Sequence, residues 1–320
     1  MLAVEEGWQR RVPHLVLDQA ALERLLGVPL LEAHLLEGGL RNTNYRVRVR
    51  GEARPLVLRL YTSDPSACLR EVALARRVSN SVPVPRALSL DASASPPWAV
   101  FEWLDGERFD RLVTHASPPE IEQVCRAAGE VLAAIHTFTF GGPGFLGPEL
   151  EIREPMGYSW LTGVRAFFGS ELARQRVGAR LAQQVADLTE REAWRLDAAW
   201  GQAHLVHADY KPWNLLVRRT RSGWSISAVL DWEFSFSGPP LCDLGIFLRY
   251  AEQMPQTYLS GFLDGYRAAG GALPPDARNL ARLIDLVSLW TFLALTPLDP
   301  AIVRDVRPLL VRTVRAFSLP

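Results

Sequence analysis

The chain has 320 residues, with 35 basic and 35 acidic side chains and a hydrophobic fraction of 48%. At roughly 150 residues per domain, this length predicts two domains or lobes with enough chain for a core, which excludes a small scaffold held by disulfides or metals. The balanced charge provides no global positive field, so we expect neither a nucleic acid nor a membrane as a partner.

The N-terminal residues give no sign of a signal peptide. Residues 1–10 carry Glu5 and Glu6, where a signal peptide needs basic residues followed by an apolar stretch. The three cysteines are too widely separated for a disulfide framework or a zinc site, and they are Cys68, Cys125 and Cys242. We therefore expect the protein in a reducing cytoplasm.

The first hundred residues are predicted to form mainly strands. Apolar and arginine side chains alternate over residues 45–50, which predicts a half-buried antiparallel strand. Residues 51–55 supply turn chemistry and residues 56–61 are nearly all apolar, so the segment predicts a hairpin. A helix is expected to begin at Pro65 and Ser66, and a further strand at residues 98–104.

Helices predominate in the rest of the chain. Residues 117–120 read Ser-Pro-Pro-Glu, a capping box with proline at the first helical position. Helices are expected over much of 157–200 and from Asp243 onward, and residues 286–295 are too short an apolar segment to cross a bilayer, so they predict a buried core helix. Short strands are predicted between the helices, at residues 205–206, 215–218 and 225–230. A strand-rich part joined to a helical part implies two lobes with a cleft between them.

One segment concentrates chemistry-bearing side chains. Residues 207–214 read His-Ala-Asp-Tyr-Lys-Pro-Trp-Asn, and Asp231 follows the later apolar strand. A hairpin-like return would bring Asp231 beside Asn214, and these oxygen ligands suit magnesium held together with substrate phosphates. Lys211 is the single lysine among the 35 basic residues. Its survival in an arginine-rich chain indicates a site where a compact ammonium matters.

This segment resembles the catalytic loop of the protein-kinase-like superfamily. Residues 34–248 resemble its aminoglycoside phosphotransferase and choline kinase branch. The further matching motifs are Glu-Gly-Gly-Leu-Arg-Asn at 37–42 (the phosphate loop), Leu-Val-Leu-Arg at 56–59 (the third strand), Glu71 (the partner of that strand's basic residue), Phe-Glu-Trp-Leu at 101–104 (the adenine-binding hinge) and Asp-Leu-Gly at 243–245 (the supporting aspartate). Arg59 stands where many relatives have lysine.

The resemblance implies an α+β, two-lobed protein-kinase-like fold with a small antiparallel-sheet N-lobe and a larger, mainly helical C-lobe. Residues 1–104 would form the nucleotide-binding lobe, ending in the hinge, and residues 105–320 the catalytic and acceptor-binding lobe. The implied activity is transfer of the γ-phosphoryl group of ATP or GTP to a hydroxyl of a small acceptor, such as an aminoglycoside, amino alcohol or sugar. Mg²⁺ is the implied cofactor.

The resemblance also implies the site residues. Asp209 would orient the acceptor hydroxyl and take its proton, while Lys211 would neutralise charge on the transferring phosphoryl group. Asn214 and Asp231 would hold the metal. The implied nucleotide-binding residues are Gly38, Gly39, Asn42, Arg59, Glu71, Phe101, Glu102 and Leu104. His207 and Asp243 would support the loop.

Alternatives remain for the elements taken singly. The glycine pair would be an ordinary turn, Arg59 a half-exposed strand residue, and Glu71 a solvated helix residue. An arginine between apolar neighbours in a strand needs a partner, however, and Glu71 is the candidate. The alternative function is a nucleotide-binding pseudokinase that acts as a regulator or scaffold.

Overall fold

The computed structural model describes residues 8–10, 12–156 and 160–318. Glu5 and Glu6 lie outside the described residues, as do residues 157–159 of the segment expected to be largely helical. The chain has a mixed α/β fold with an antiparallel sheet in its N-terminal part and a mainly helical C-terminal part, as predicted.

The N-terminal part is built on a sheet with the strand order β1-β2-β3-β5-β4, in which every neighbouring pair is antiparallel. Its strands are β1 (Leu30–Leu36), β2 (Thr43–Val49), β3 (Leu56–Leu60), β4 (Ala87–Asp91) and β5 (Trp98–Glu102). Two helices accompany them, α1 (Gln19–Leu26) and α2 (Ala67–Val78). The hairpin predicted from residues 45–61 is confirmed as the β2–β3 pair.

The two faces of β3 have different roles. Leu58 and Leu60 are fully buried in an apolar cluster with Tyr45 and Val47. Because successive side chains of a strand point to opposite faces, Arg59 lies on the other face of the sheet. The hydrophobic pattern of β3 therefore fixes the direction of its one charged side chain.

The C-terminal part begins with a short strand and is otherwise mostly helical. Its helices are α3 (Phe109–Leu112), α4 (Pro118–His136), α5 (Trp160–Phe168), α6 (Glu171–Val177), α7 (Ala179–Glu192), α8 (Asp197–Trp200), α9 (Leu241–Leu248), α10 (Gln256–Ala268), α11 (Ala277–Ala294) and α12 (Pro300–Ala316). The predicted capping box at Ser117 and Glu120 is present at the start of α4. The predicted core helix is the second half of α11, where Leu286, Leu289 and Leu293 are buried.

Helices α4 and α10 pack unusually closely. Gly129 of α4 and Gly265 of α10 lie where the backbones meet, and a Cβ atom at Gly265 would collide with the carbonyl oxygen of Arg126. Only residues without a side chain permit this approach. The middle of α4 is thereby held against α10.

Two small antiparallel sheets carry the loops of the C-terminal part. One has the order β11-β10-β6, and the other β8-β7-β12-β9. Their strands are β6 (Glu107–Arg108), β7 (Gly144–Leu146), β8 (Ile152–Pro155), β9 (His204–Val206), β10 (Leu215–Thr220), β11 (Gly223–Val229) and β12 (Phe236–Gly238). The boundary that we propose between the lobes, after Leu104, falls between β5 and β6. Among the described residues, no helix combines the length and the apolar character needed to cross a bilayer.

Candidate active site

Residues 207–214 form the loop between β9 and β10, and three of their polar side chains meet at its tip. The Nδ2 atom of Asn214 donates a hydrogen bond to Oδ2 of Asp209 at 2.7 Å. The Nζ atom of Lys211 lies 2.8 Å from Oδ1 of the same carboxylate. Both oxygens of Asp209 are thus oriented by groups from its own loop, which fixes the rotamer of this side chain.

The loop is held by Asp243, a fully buried residue near the start of α9. Its carboxylate accepts hydrogen bonds from the backbone N–H groups of His207 (2.7 Å) and Ala208 (2.8 Å). The Nε2 atom of His136, at the end of α4, lies 3.2 Å from the same carboxylate. Ala208 has a φ of 66°, a left-handed conformation that costs a residue with a side chain about 1–2 kcal/mol. Asp243 therefore holds a turn that the local sequence does not favour.

His207 connects this loop to the chain that precedes Asp231. Its Nδ1 accepts a hydrogen bond from the backbone N–H of Asp209 at 3.2 Å, so Nε2 carries the proton and donates to the carbonyl of Leu230 at 3.0 Å. Burial lowers the pKa of His207, which keeps the ring neutral. These contacts give the histidine a positioning task in the loop.

The expected approach of Asn214 to Asp231 is present. Strand β10 pairs with β11, and the backbone N–H of Leu230 donates to the carbonyl of Asn214 at 2.8 Å. Asp231 follows immediately, with a left-handed φ of 68°. Because a carboxylate and a carboxamide oxygen are ligands that Mg²⁺ accepts together with phosphates and water, the donor set fits a magnesium ion.

Arg59 joins Asp231 to helix α2. Its Nε lies 3.1 Å from Oε2 of Glu71, and its Nη2 lies 2.5 Å from Oδ1 of Asp231. The hydroxyl of Tyr61 donates to the same Glu71 oxygen at 2.7 Å. Burial opposes ionisation of Asp231, but the guanidinium of Arg59 outweighs it and lowers the pKa of Asp231. The carboxylate is therefore available in its charged form, as a cation ligand must be.

A further carboxylate, Glu233, lies beside this pair. It is buried, its Oε2 accepts a hydrogen bond from Nδ2 of Asn42 at 2.8 Å, and its Oε1 lies 3.9 Å from Nη2 of Arg59. Burial, followed by repulsion from Asp231, raises the pKa of Glu233 to about 7. Glu233 was not predicted as a site residue, although its position two residues after Asp231 was the available signal.

The glycine-containing loop lies between β1 and β2. Gly38 and Gly39 have φ values of 96° and 69°, a left-handed conformation that residues with side chains rarely adopt. Arg10 donates hydrogen bonds to the carbonyls of Gly39 and Asn42, each at 2.8 Å. The loop is thus tied to the segment before α1, a contact that was not predicted from the sequence.

The expected hinge residues lie at the end of β5. Phe101 is paired with Val57 across β3 and β5, so its side chain shares a sheet face with Val57 and, two positions along, with Arg59. The carboxylate of Glu102 lies 3.0 Å from Nε of Arg86. Leu104 stands in the segment between β5 and β6. This places Phe101 and Arg59 on one side of the sheet.

Comparisons with known proteins identify relatives of the whole fold. The family model described as the phosphotransferase enzyme family matches residues 32–283. A curated mouse (Mus musculus) protein, acyl-CoA dehydrogenase family member 10, is 27% identical over 271 residues, which cover 78% of this chain. The match covers only 24% of the mouse protein's own length.

Solved structures share the architecture at low identity. A thermostable mutant of aminoglycoside phosphotransferase APH(4)-Ia, in a ternary complex with AMP-PNP and hygromycin B, matches with a TM-score of 0.69 and 21% identity, over 93% of this chain and 97% of that one. A mutant of aminoglycoside 2'-phosphotransferase-IIIa in complex with GDP matches with a TM-score of 0.66 and 13% identity, over 92% of this chain and 95% of that one. At these identities the similarity establishes a common fold.

Proposed function

This chain belongs to the phosphotransferase enzyme family, and from that premise we propose that it transfers the γ-phosphoryl group of ATP or GTP to a hydroxyl of a small acceptor. The observation that carries the proposal is the carboxylate of Asp209, whose two oxygens are oriented by Lys211 and Asn214 on a loop held by Asp243. Phosphoryl transfer depends mainly on positioning and charge stabilisation, and a pre-oriented carboxylate beside an ammonium serves both needs.

In this proposal Asp209 accepts the proton of the acceptor hydroxyl. With Oδ2 held by the amide of Asn214, the other oxygen faces the ammonium of Lys211. Lys211 would then neutralise charge on the phosphoryl group as it moves toward the acceptor oxygen. His207, which is buried and neutral, keeps the backbone of the loop in place and takes no proton from the acceptor.

Asn214 and Asp231 would hold Mg²⁺. When bound, the ion would neutralise charge on the phosphate oxygens of the nucleotide. The close contact between Arg59 and Asp231 supports this assignment, because it keeps Asp231 ionised. Arg59 would then supply a second positive group beside the bound phosphates.

The nucleotide would lie between the glycine loop and the site just described. Backbone amides near Gly38 and Gly39 would cover the phosphates, and Arg59, held by Glu71, would bind their oxygens. Asn42 would position the loop through its hydrogen bond to Glu233. The adenine or guanine base would bind at the hinge formed by Phe101, Glu102 and Leu104.

The acceptor would approach from the side of Lys211. A small space there is lined by Lys211, Trp213, Arg249, Tyr250 and Met254, among other residues. Aromatic walls suit a sugar ring or an amino alcohol, so we retain both classes, together with aminoglycosides, as candidate acceptors. For the protein's location we propose the cytoplasm, supported by three buried cysteines that form no disulfide in the structure.

The test is a nucleotide-turnover screen with purified protein. ATP or GTP and Mg²⁺ are supplied with a panel of aminoglycosides, sugars and amino alcohols, and the release of ADP or GDP is measured against an Asp209→Asn control. Acceptor-dependent release in the parent protein that is absent from the control is the expected result. Stabilisation by nucleotide without turnover on any acceptor would favour the pseudokinase alternative.

A further inference from the structure

A second cleft lies in the helical part, between the end of α9 and helices α11 and α12. Apolar side chains line it, among them Leu248, Leu289 and Leu309, together with charged ones. We call the partly exposed charged residues its rim, and they are Glu252, Arg278, Arg282 and Arg312. The cavity volume of the cleft is about 30 Å³, and the wider space around it is open to solvent. None of its lining residues belongs to the set assigned above to nucleotide, metal or catalysis.

The lining of the cleft brings together more positive than negative charge. Arg249 and Asp285 form a buried pair with two hydrogen bonds, at 2.9 Å and 2.7 Å, and they neutralise each other. Three further arginines, from α11 and α12, converge on the single carboxylate of Glu252, and they are Arg278, Arg282 and Arg312. Three cations that share one anion leave a net charge of +2 on the rim.

The shared carboxylate does not satisfy these arginines. Arg278 and Arg312 each lie 3.6 Å from an oxygen of Glu252, which is longer than a hydrogen bond, whereas Arg282 is in direct contact. Among the described residues, the Nη1 atom of Arg312 is buried and has no hydrogen-bond partner. Burial, and then repulsion from Arg278, lowers the pKa of Arg282. The cluster therefore carries a buried N–H donor without a partner and a repulsion between guanidinium groups that Glu252 offsets only in part.

Such a cluster is costly to the folded protein unless an anion relieves it. Guanidinium groups present several N–H donors in a planar fork that matches the oxygens of a phosphate group. A phosphate monoester carries a charge of about −1.5 to −2 at neutral pH, which matches the net charge of the rim.

We propose that the cleft rimmed by Arg278, Arg282 and Arg312 binds the phosphate group of a small molecule. The proposal goes beyond the phosphotransferase function and does not depend on it, because Arg278, Arg282 and Arg312 have no part in the proposed active site; of the lining residues, only Arg249 also lines the proposed acceptor space. Two kinds of ligand would present this group, free phosphate and a phosphate monoester, and the two arms of the test distinguish them.

The test is isothermal titration of the purified chain with inorganic phosphate in one arm and with glycerol phosphate in the other. We expect saturable binding of at least one probe, weakened at least tenfold in Arg278→Gln and in Arg312→Gln. Arg267→Gln is the matched control, because Arg267 lies 3.6 Å from an oxygen of Asp264 on α10 and is similarly exposed. The control should bind like the parent protein.

Two results would overturn the proposal. One is binding that is absent in both arms, or equal in the parent and both cleft variants. The other is binding that is lost in Lys211→Gln and retained in Arg312→Gln, which would place the phosphate in the candidate active site. Arg278 is 45% exposed, so Arg278→Gln should fold, and its thermal unfolding verifies this before titration.

Discussion

The ammonium of Lys211 lies 2.8 Å from Oδ1 of Asp209, the carboxylate two positions earlier in the chain. The contact joins the single lysine of the protein to the proposed catalytic base. Both side chains are largely buried, at 15% and 18% exposure, so solvent weakens their attraction only in part. The pair sets the geometry from which the first two predictions follow.

Lys211→Arg should lower turnover by at least about tenfold, or roughly 1.4 kcal/mol in the barrier. A guanidinium would tend to bind both oxygens of Asp209 and would displace the amide of Asn214 from Oδ2. The Michaelis constant for nucleotide should change much less. Steady-state kinetics on the variant measure both quantities, and turnover equal to that of the parent protein would show that arginine serves here as well as lysine.

Asp209→Asn should retain the fold and nucleotide binding but lose turnover by about 10²–10⁴-fold, the usual contribution of a general base. An amide keeps the shape of the carboxylate yet cannot take the acceptor's proton. Asp264→Asn, on the exposed surface of α10, is the control for a lost carboxylate. Undiminished turnover in Asp209→Asn would remove this residue from the mechanism.

Asn214→Ala and Asp231→Ala should each weaken nucleotide binding more in the presence of Mg²⁺ than in its absence. Asn214→Ala should also lower turnover, because its amide orients Oδ2 of Asp209. Titration with AMP-PNP, with Mg²⁺ and with EDTA, measures the two affinities. Equal losses under both conditions would indicate that the residues are structural.

Arg59→Ala should destabilise the protein by about 3–5 kcal/mol, because it leaves the buried carboxylates of Glu71 and Glu233 and the half-buried carboxylate of Asp231 without their shared cation. It should also raise the Michaelis constant for nucleotide. Arg59→Lys keeps the charge, and we expect it to be tolerated in both respects. Denaturant unfolding and steady-state kinetics test the pair, and an unchanged Michaelis constant in Arg59→Ala would contradict a phosphate-binding role.

The capping box of α4 should make the free energy of unfolding depend on pH in the acidic range. Hydrogen bonds from the side chain and backbone of Ser117, followed by that from Trp224, lower the pKa of Glu120 from 4.5 to about 2. A carboxyl group whose pKa is lower in the folded than in the unfolded state stabilises the folded protein fully at pH values above the unfolded pKa. This contribution is lost as the pH falls from about 4.5 towards 2. Glu120→Gln should therefore lower the melting temperature at pH 7 and have less effect at pH 3. An equal effect at both pH values would show that ionisation is not involved.

Local patterns predicted the elements whose side chains alternate or repeat clearly. The alternation over residues 45–50 predicted β2, and the capping box predicted the start of α4. Strand β1, with the sequence Leu-Leu-Glu-Ala-His-Leu-Leu, was not predicted because it lies at the sheet edge and its apolar residues do not alternate. Strands of three residues, such as β7 and β12, are too short to show a period.

The candidate site was predictable where it is local in the chain and not where it is assembled from distant segments. The spacing of residues 207–214 and 231 indicated the approach of Asn214 to Asp231, which the pairing of β10 with β11 produces. The hydrogen bond from Asn42 to Glu233 joins residues 191 positions apart, and nothing in either segment alone indicates it. Arg10 contacts the glycine loop from outside the segment that resembles the family.

The close packing of α4 and α10 extends to the proposed catalytic loop. Tyr266 follows Gly265, and the hydroxyl of Tyr266 lies 2.8 Å from Nδ1 of His136. Nε2 of His136 in turn faces Asp243, whose carboxylate holds the loop backbone. A side chain at Gly265 would push α10 away from α4. It would thereby disturb the contact between Tyr266 and His136 and, through it, the contact between His136 and Asp243. Gly265 lies outside the proposed nucleotide and acceptor sites. A genetic screen for inactive variants should nevertheless recover substitutions at Gly265. The variant proteins should bind nucleotide but transfer phosphate poorly.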